Sequence, residues 1–178
     1  MRSKVYVDKA SVGVGVIARV PIKPRETIHY VTGPVYSFLE LMSQSDKGEN
    51  TVQIGQDDYV DPLFPGRFLN HSCEPNAGLI DGTCLIALRQ IRPGEEIRFD
   101  YSTSLLERFW TLECQCGSPK CRGIVGDFDQ LPVKIQQEYL RAGIVQSFIV
   151  DAITAMENME ELPLLPSALV FNKPSVAA

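Results

Sequence analysis

A chain of 178 residues is sized for one hydrophobic core of ordinary extent plus a small appendage, since domains commonly run to roughly 100–150 residues. Its 44% hydrophobic and 22% charged residues are those of a folded protein in water and exclude a disordered or membrane class, while a formal net charge of −5 argues against direct nucleic acid binding and suits a basic partner. The stretch from Met1 to Asp8 lacks the apolar centre of a signal peptide, and no run approaches the ~18 apolar residues of a spanning helix, so a soluble, intracellular protein without a membrane is expected.

From Val5 to Ile28 the pattern predicts short strands joined by turns. Val12, Val14, Val16 and Ile17 around Gly13 and Gly15 suggest a strand that glycine keeps open to a close-approaching group, although a Gly-x-Gly pair alone is more often a bulge or tight bend. Residues Val20 to Glu26 form a turn into a strand over Thr27–Val31, Ser37–Met42 a short helix, and Ser43–Asn50 an exposed loop. Strands follow at Thr51–Ile54, Tyr59–Asp61 and Leu85–Leu88, then a turn at Arg92–Glu95 and an alternating strand over Ile97–Tyr101. Many short strands broken by glycine and proline predict a mainly β fold with short helices rather than a doubly wound one.

After a Cys/Gly/Pro segment the character changes. Ile135, Tyr139 and Ala142 fall at helical spacing with Gly143 as a stop, and Val145, Phe148, Ile149, Ala152, Ile153 and Met156 trace one face of a second helix. That face packs on the chain's own domain or forms a homodimer or partner surface. Prolines and small apolar residues beyond Glu160 predict a poorly ordered tail. The expected divisions are 1–110, a cysteine segment at 111–127, a helical extension at 128–160 and the tail at 161–178.

Two stretches carry chemistry. Arg67-Phe-Leu-Asn-His-Ser-Cys-Glu-Pro-Asn76 places a basic group, an aromatic, amides, an imidazole and a thiol within ten residues, in a loop that Phe68 and Leu69 anchor to a core. Cys114-x-Cys116-x4-Cys121 brings three thiols within eight residues. Five cysteines, an odd number in a reducing setting, read as metal ligands rather than disulfides, and zinc held by thiolates takes four ligands in a tetrahedron. Three local thiols leave one vacancy. Cys73, Cys84 and His71 are the candidates. Cys84 sits in an apolar strand where a cysteine is usually a small hydrophobe, so Cys73 is favoured.

Gly13-Val-Gly15-Val, Arg67-Phe-Leu-Asn70-His71-Ser-Cys73-Glu-Pro-Asn76, Gly94-Glu-Glu-Ile-Arg-Phe-Asp-Tyr101 and Cys114-x-Cys116-Gly-x3-Cys121-Arg-Gly, in that order, resemble the SET-domain protein lysine methyltransferases with a post-SET zinc motif. The resemblance covers roughly residues 5 to 126. It implies a SET-domain fold of small β-sheets in which the segments 70–76 and 97–101 form a pseudoknot, followed by a zinc-binding post-SET segment and C-terminal helices. It also implies S-adenosylmethionine as methyl donor and a protein substrate with an accessible lysine, such as a histone or another basic protein. The implied setting is nuclear in a eukaryote and cytoplasmic otherwise. On this resemblance Tyr101 and Phe99 are catalytic, Phe99 standing where phenylalanine leaves room for further methyl groups. Gly13, Val14, Gly15, Tyr30, Arg67, Phe68, Asn70, His71 and Tyr101 touch the cofactor. Cys73, Cys114, Cys116 and Cys121 hold Zn2+. Pro34 after Tyr30-Val-Thr-Gly33, Phe64-Pro65-Gly66 before Arg67, and Ser102 after Tyr101 depart from the family pattern and bear on substrate choice. The competing expectation is a catalytically silent, zinc-stapled peptide-binding module.

Overall fold

The computed structural model describes residues 3–43, 50–108 and 110–160; the expected tail at 161–178 and most of the loop at 43–50 lie outside the described residues. In chain order the elements are β1 (Val5–Lys9), β2 (Val14–Ala18), β3 (Thr27–Tyr30), β4 (Val35–Tyr36), α1 (Phe38–Met42), β5 (Val52–Gln53) and β6 (Tyr59–Val60). They continue with β7 (Asn70–His71), β8 (Ala77–Ile80), β9 (Cys84–Ala87), β10 (Glu96–Phe99), β11 (Leu112–Glu113), β12 (Ile124–Val125), α2 (Val133–Ala142) and α3 (Ser147–Glu160). Short 3-10 turns occupy Gly66–Phe68, Tyr101–Ser104 and Phe128–Gln130.

The strands form small sheets, as expected: β1-β2-β10-β7, β3-β9-β8, β4-β6-β5 and the hairpin β11-β12. In β10 the alternation is clean. Ile97 and Phe99 point into the core while Glu96 and Arg98 stay partly exposed, the period of two that a pleated strand imposes. In β9 there is no alternation because both faces are covered: Leu85 and Ala87 belong to one apolar cluster, Cys84 and Ile86 to another. That is why the run reads as uniformly apolar. The short helix α1 starts where serine and glutamate can cap it reciprocally: Ser37 Oγ accepts from the Glu40 amide, and Glu40 accepts from the Ser37 amide.

The loop after Arg67 is bound to β10 along its length. Strand β7 runs parallel to β10, pairing Asn70 with Arg98 and His71 with Phe99. The Ser72 amide donates to the Phe99 carbonyl at 3.0 Å, and the buried Asn76 side chain exchanges bonds with the Arg98 amide (2.9 Å) and the Glu96 carbonyl (2.7 Å). A buried amide side chain with both ends bonded substitutes for missing strand partners.

The C-terminal helices dock on this framework. Tyr139, Ile144, Val145 and Ile149 are buried against Phe128, Leu131, Cys84 and Ile86, so the apolar face read from the sequence packs on the chain's own sheet. Helix α2 stops at Gly143, whose φ of 64° is the left-handed cap that a side chain disfavours. At the far end of α3, Met156 is exposed.

Candidate active site and metal centre

Tyr101 opens the 3-10 turn directly after β10. Its ring lies 4.9 Å from Phe99 and 5.2 Å from His71 by centroids, and its hydroxyl donates to the Leu69 carbonyl at 2.7 Å. Burial, with a smaller contribution from the Glu96 charge, pushes the phenol up to about 12, so it stays protonated at neutral pH. Because the hydroxyl hydrogen is committed to Leu69, the oxygen's lone pairs remain to accept. Tyr101 and Phe99 line a cavity of about 230 Å³ with Tyr59, Arg67 and Trp110. Glu107 is the one carboxylate among the described residues of its wall. Burial raises the Glu107 pKa, the Asp127 charge adds to this, and a bond from the Tyr59 side chain opposes it. Aromatic faces beside aliphatic stems, with Arg67 and Glu107 opposing each other in charge, make a lining suited to a long side chain with a polar tip.

Gly13 to Gly15 approach the same strand from the other side. The Asn70 side-chain nitrogen donates to the carbonyls of Val12 and Val14, each at 3.1 Å, and to Glu96 Oε1 at 2.8 Å. Glu96 Oε2 accepts from the Ser11 hydroxyl at 2.6 Å. The two glycines are required for different reasons. Gly13 has φ +58° with nothing within 4 Å of where a Cβ would stand, so its constraint is conformational and the space beside it is open. A Cβ on Gly15 would come within 2.6 Å of Glu96 Oε1 and 2.7 Å of Ala10 Cβ, so the close approach of the chain itself already requires glycine there.

Three of the four expected thiols converge, and His71 stands with them. Cys73 Sγ and Cys114 Sγ are 3.6 Å apart, and ligand atoms of His71, Cys73, Cys114 and Cys116 all lie within 4.8 Å of one another. Cys121 is the exposed member, its thiol also interacting with those of Cys114 and Cys116. Backbone amides point at sulfur, Arg122 N to Cys73 at 3.4 Å and Gly123 N to Cys121 at 3.5 Å, the donors that thiolates need. Burial alone would raise the Cys116 thiol, yet the amides of Cys73 and Ser118 and the neighbouring thiols bring it down to about 7. Three thiols and one imidazole closing on one point, with Cys121 beside Cys114 and Cys116, make a donor set suited to a thiophilic ion. Cys84 is buried in the second apolar cluster and takes no part.

His71 joins this cluster to Tyr101. The Tyr101 amide donates to His71 Nδ1 at 3.3 Å, which assigns the lone pair to that nitrogen and the ring proton to Nε2, 3.3 Å from Cys73 Sγ. Burial holds His71 down to about 4, the Asp100 charge opposing and the Arg122 and Arg98 charges reinforcing. In that tautomer the ring donates from Nε2 to the Cys73 sulfur.

Asp100, fully buried, is the hub that the sequence reading missed. Oδ2 accepts from Arg122 Nη1 (2.6 Å) and the Tyr139 hydroxyl (2.9 Å), and Oδ1 from Arg122 Nη2 (2.8 Å) and the Ser102 amide (3.1 Å). Strand β10, the cysteine segment and helix α2 therefore meet on one carboxylate.

Residues 13–102, about half of the chain, match the SET domain family. The chain belongs to this family. The SET-domain chain is 39% identical over 71 residues to the Drosophila melanogaster histone-lysine N-methyltransferase ash1, covering 36% of this chain and 3% of that protein. It is 37% identical over 131 residues to the Arabidopsis thaliana histone-lysine N-methyltransferase ASHR3, covering 64% and 26%. With the H3 lysine-36 specific histone-lysine N-methyltransferase of Kluyveromyces lactis it shares 28% over 170 residues, covering 84% and 22%. The chain thus spans between 3% and 26% of the length of these relatives. The crystal structure of the methyltransferase domain of human histone-lysine N-methyltransferase SETMAR has the same fold, with a TM-score of 0.57 at 24% identity over 71% of this chain and 59% of that one.

Within the SET domain the expected residues divide into three places. Phe99, Tyr101 and Arg67 reach the cavity. Gly13, Val14, Gly15 and Asn70 form the turn on the far side of β10, and His71 bridges to the thiols. Tyr30 is 58% exposed at the end of β3, and Phe68 packs against the core and edge-on to Phe64; neither lines the cavity. Asp100, Glu96 and Arg122 adjoin motif residues, which is the signal that points to them. Tyr139 reads only as a core position on a helix.

Proposed function

We propose that this SET domain transfers a methyl group from S-adenosylmethionine to the ε-amine of a lysine in a basic protein, a histone tail being the substrate class suggested by the names of its relatives and by the charge of −5. The observation that carries this reading is Tyr101: a buried, protonated phenol in the wall of the aromatic cavity, its hydrogen committed to Leu69 and its oxygen free.

The residues present fit the donor: the open space at Gly13 and the strand edge held by Asn70 would receive it. When bound, it supplies an electrophilic methyl on a sulfonium. The protein's part is position. The cavity desolvates the lysine, which disfavours its ammonium form. The free lone pairs of Tyr101 orient the amine, and one narrow approach aligns it for transfer. Phe99 lacks a hydroxyl to hold the amine or a water, so two or three methyl groups can be added. Cys73, Cys114, Cys116 and Cys121 would hold zinc, with His71 as a donor to Cys73, and would thereby tie the cysteine segment to the loop that carries Asn70. In a nucleated cell this substrate places the protein in the nucleus.

Incubation of the purified chain with labelled donor and histones tests the reading. Transfer by wild type that Tyr101→Phe reduces about a hundredfold is expected, because misplacement of a reacting group costs roughly that much. Peptide binding with no transfer to any lysine-rich protein would support the silent module instead.

A further inference from the structure

Helices α2 and α3 lie outside the matched residues 13–102, and the chemistry above gives them no task. Their contacts say otherwise. They grip the Tyr101–Ser104 turn at two points. The Tyr139 hydroxyl from α2 donates to Asp100 Oδ2 at 2.9 Å, just before the turn, and the Gln146 amide from the α2–α3 joint donates to the Thr103 carbonyl at 3.1 Å, within it. Gln146 is itself fixed, its side chain exchanging bonds with the Gly82 amide (3.1 Å) and carbonyl (3.0 Å). Both residues are buried.

Asp100 is the residue through which this grip reaches the site. A carboxylate has about four acceptor positions, and here four donors fill them: two nitrogens of Arg122, the Ser102 amide and the Tyr139 hydroxyl. The Ser102 bond caps the turn that begins with Tyr101. Tyr101 in turn has its amide on His71 and its hydroxyl on Leu69. Removing one donor from a filled, buried carboxylate leaves it free to turn toward the remaining three and carries the start of the turn with it.

We infer that the helical extension is a working part of the active site, and that Tyr139 is a positioning residue that holds Tyr101 in register through Asp100. This rests on the methyl-transfer reading for its kinetic consequence and on geometry alone for its structural one. Gln146 supplies the second hold, so the extension determines the attitude of the turn rather than merely covering the back of the sheet.

The test is Tyr139→Phe, which keeps the buried ring and deletes the hydroxyl, compared with wild type at a temperature where both are fully folded. Methyl transfer to a histone peptide should show kcat lowered roughly tenfold with the peptide KM within about twofold, since misplacement by a fraction of an ångström degrades alignment more than affinity. In the Tyr101→Phe background the same substitution should change turnover by less than about twofold, because residues acting through one another are not additive. Unchanged kcat in Tyr139→Phe, or an equal fold-loss in both backgrounds, would overturn the inference while leaving the methyl-transfer reading intact. A readout free of activity completes it: in protein labelled at the tyrosine ζ carbon, the Tyr101 resonance, assigned by its loss in Tyr101→Phe, should shift in Tyr139→Phe. If wild type transfers no methyl, the functional reading fails, and that resonance still decides: a shift supports the positioning role and an unmoved signal removes it.

Discussion

The two apolar clusters on either side of the β3-β9-β8 sheet are built on different plans. The first gathers Val16, Leu69, Leu79, Leu85, Ile97 and Phe99 from strands and loops scattered along the chain. The second lays Phe128, Leu131, Tyr139, Ile144, Val145 and Ile149, neighbours in sequence, against Cys84 and Ile86. The first lies mostly within the family match and includes Phe99, with Tyr101 packed against it; the second lies mostly outside it. Their seam is polar. Asp100 takes donors from the Tyr101 turn, the cysteine segment and helix α2, and a buried charge of this kind persists only where every acceptor position is filled. On the proposed function, the difference assigns the chemistry to the strand half and the hold on it to the half built on cysteines and helices.

The largest effect should come from cutting the cross-link between the halves. Cys73→Ser should reduce bound zinc, measured by atomic emission, to well below one per chain and reduce methyl transfer with it, because thiolate coordination contributes on the order of 10 kcal/mol in structural sites. Cys84→Ala, whose sulfur faces the helices, should leave zinc content unchanged. A Cys73→Ser protein without zinc but with full transfer would separate the two regions. Next, Ile149→Ala empties a fully buried position of the helical cluster and should lower unfolding free energy by about 2–5 kcal/mol in urea titration. A single transition in that titration would make the two clusters one cooperative unit, and two transitions would make them separate ones.

Tyr101→Phe belongs wholly to the strand half. Its loss of about a hundredfold in transfer should come with little change in melting temperature. Gly15→Ala should cost about 1–3 kcal/mol of stability, since the added methyl meets Glu96 and Ala10, and thermal melting measures it. The smallest change in rate accompanies Phe99→Tyr: the products on a histone peptide, read by mass spectrometry, should move from di- and trimethyl toward monomethyl lysine. An unaltered distribution would take Phe99 out of that role.

Much of the strand half is legible in the sequence because its constraints are local. Ser37 and Glu40 announce a helix cap, alternation marks β10, and Gly143 ends α2. Strand β8, Ala77–Ile80, was not foreseen: covered on its sheet face and flanked by turns, it offers no polar alternation to read. Glycine at 15 reads as leaving room for a close-approaching group, but that group's identity is not legible, since Glu96 lies far along the chain and only the fold brings its carboxylate within 2.6 Å of the missing Cβ.

By itself the sequence determined the mainly β character, the polar loop from Arg67 to Asn76, the thiol cluster and the amphipathic helices, because residue type, spacing and periodicity are properties of neighbours. Only the tertiary structure decided where these meet. Nothing in the chain's order says that Tyr139 reaches Asp100 across 39 positions, or that one amide bond sets the His71 proton toward Cys73. Hydrogen bonds act within about 3 Å, and which distant groups come that close is settled by packing.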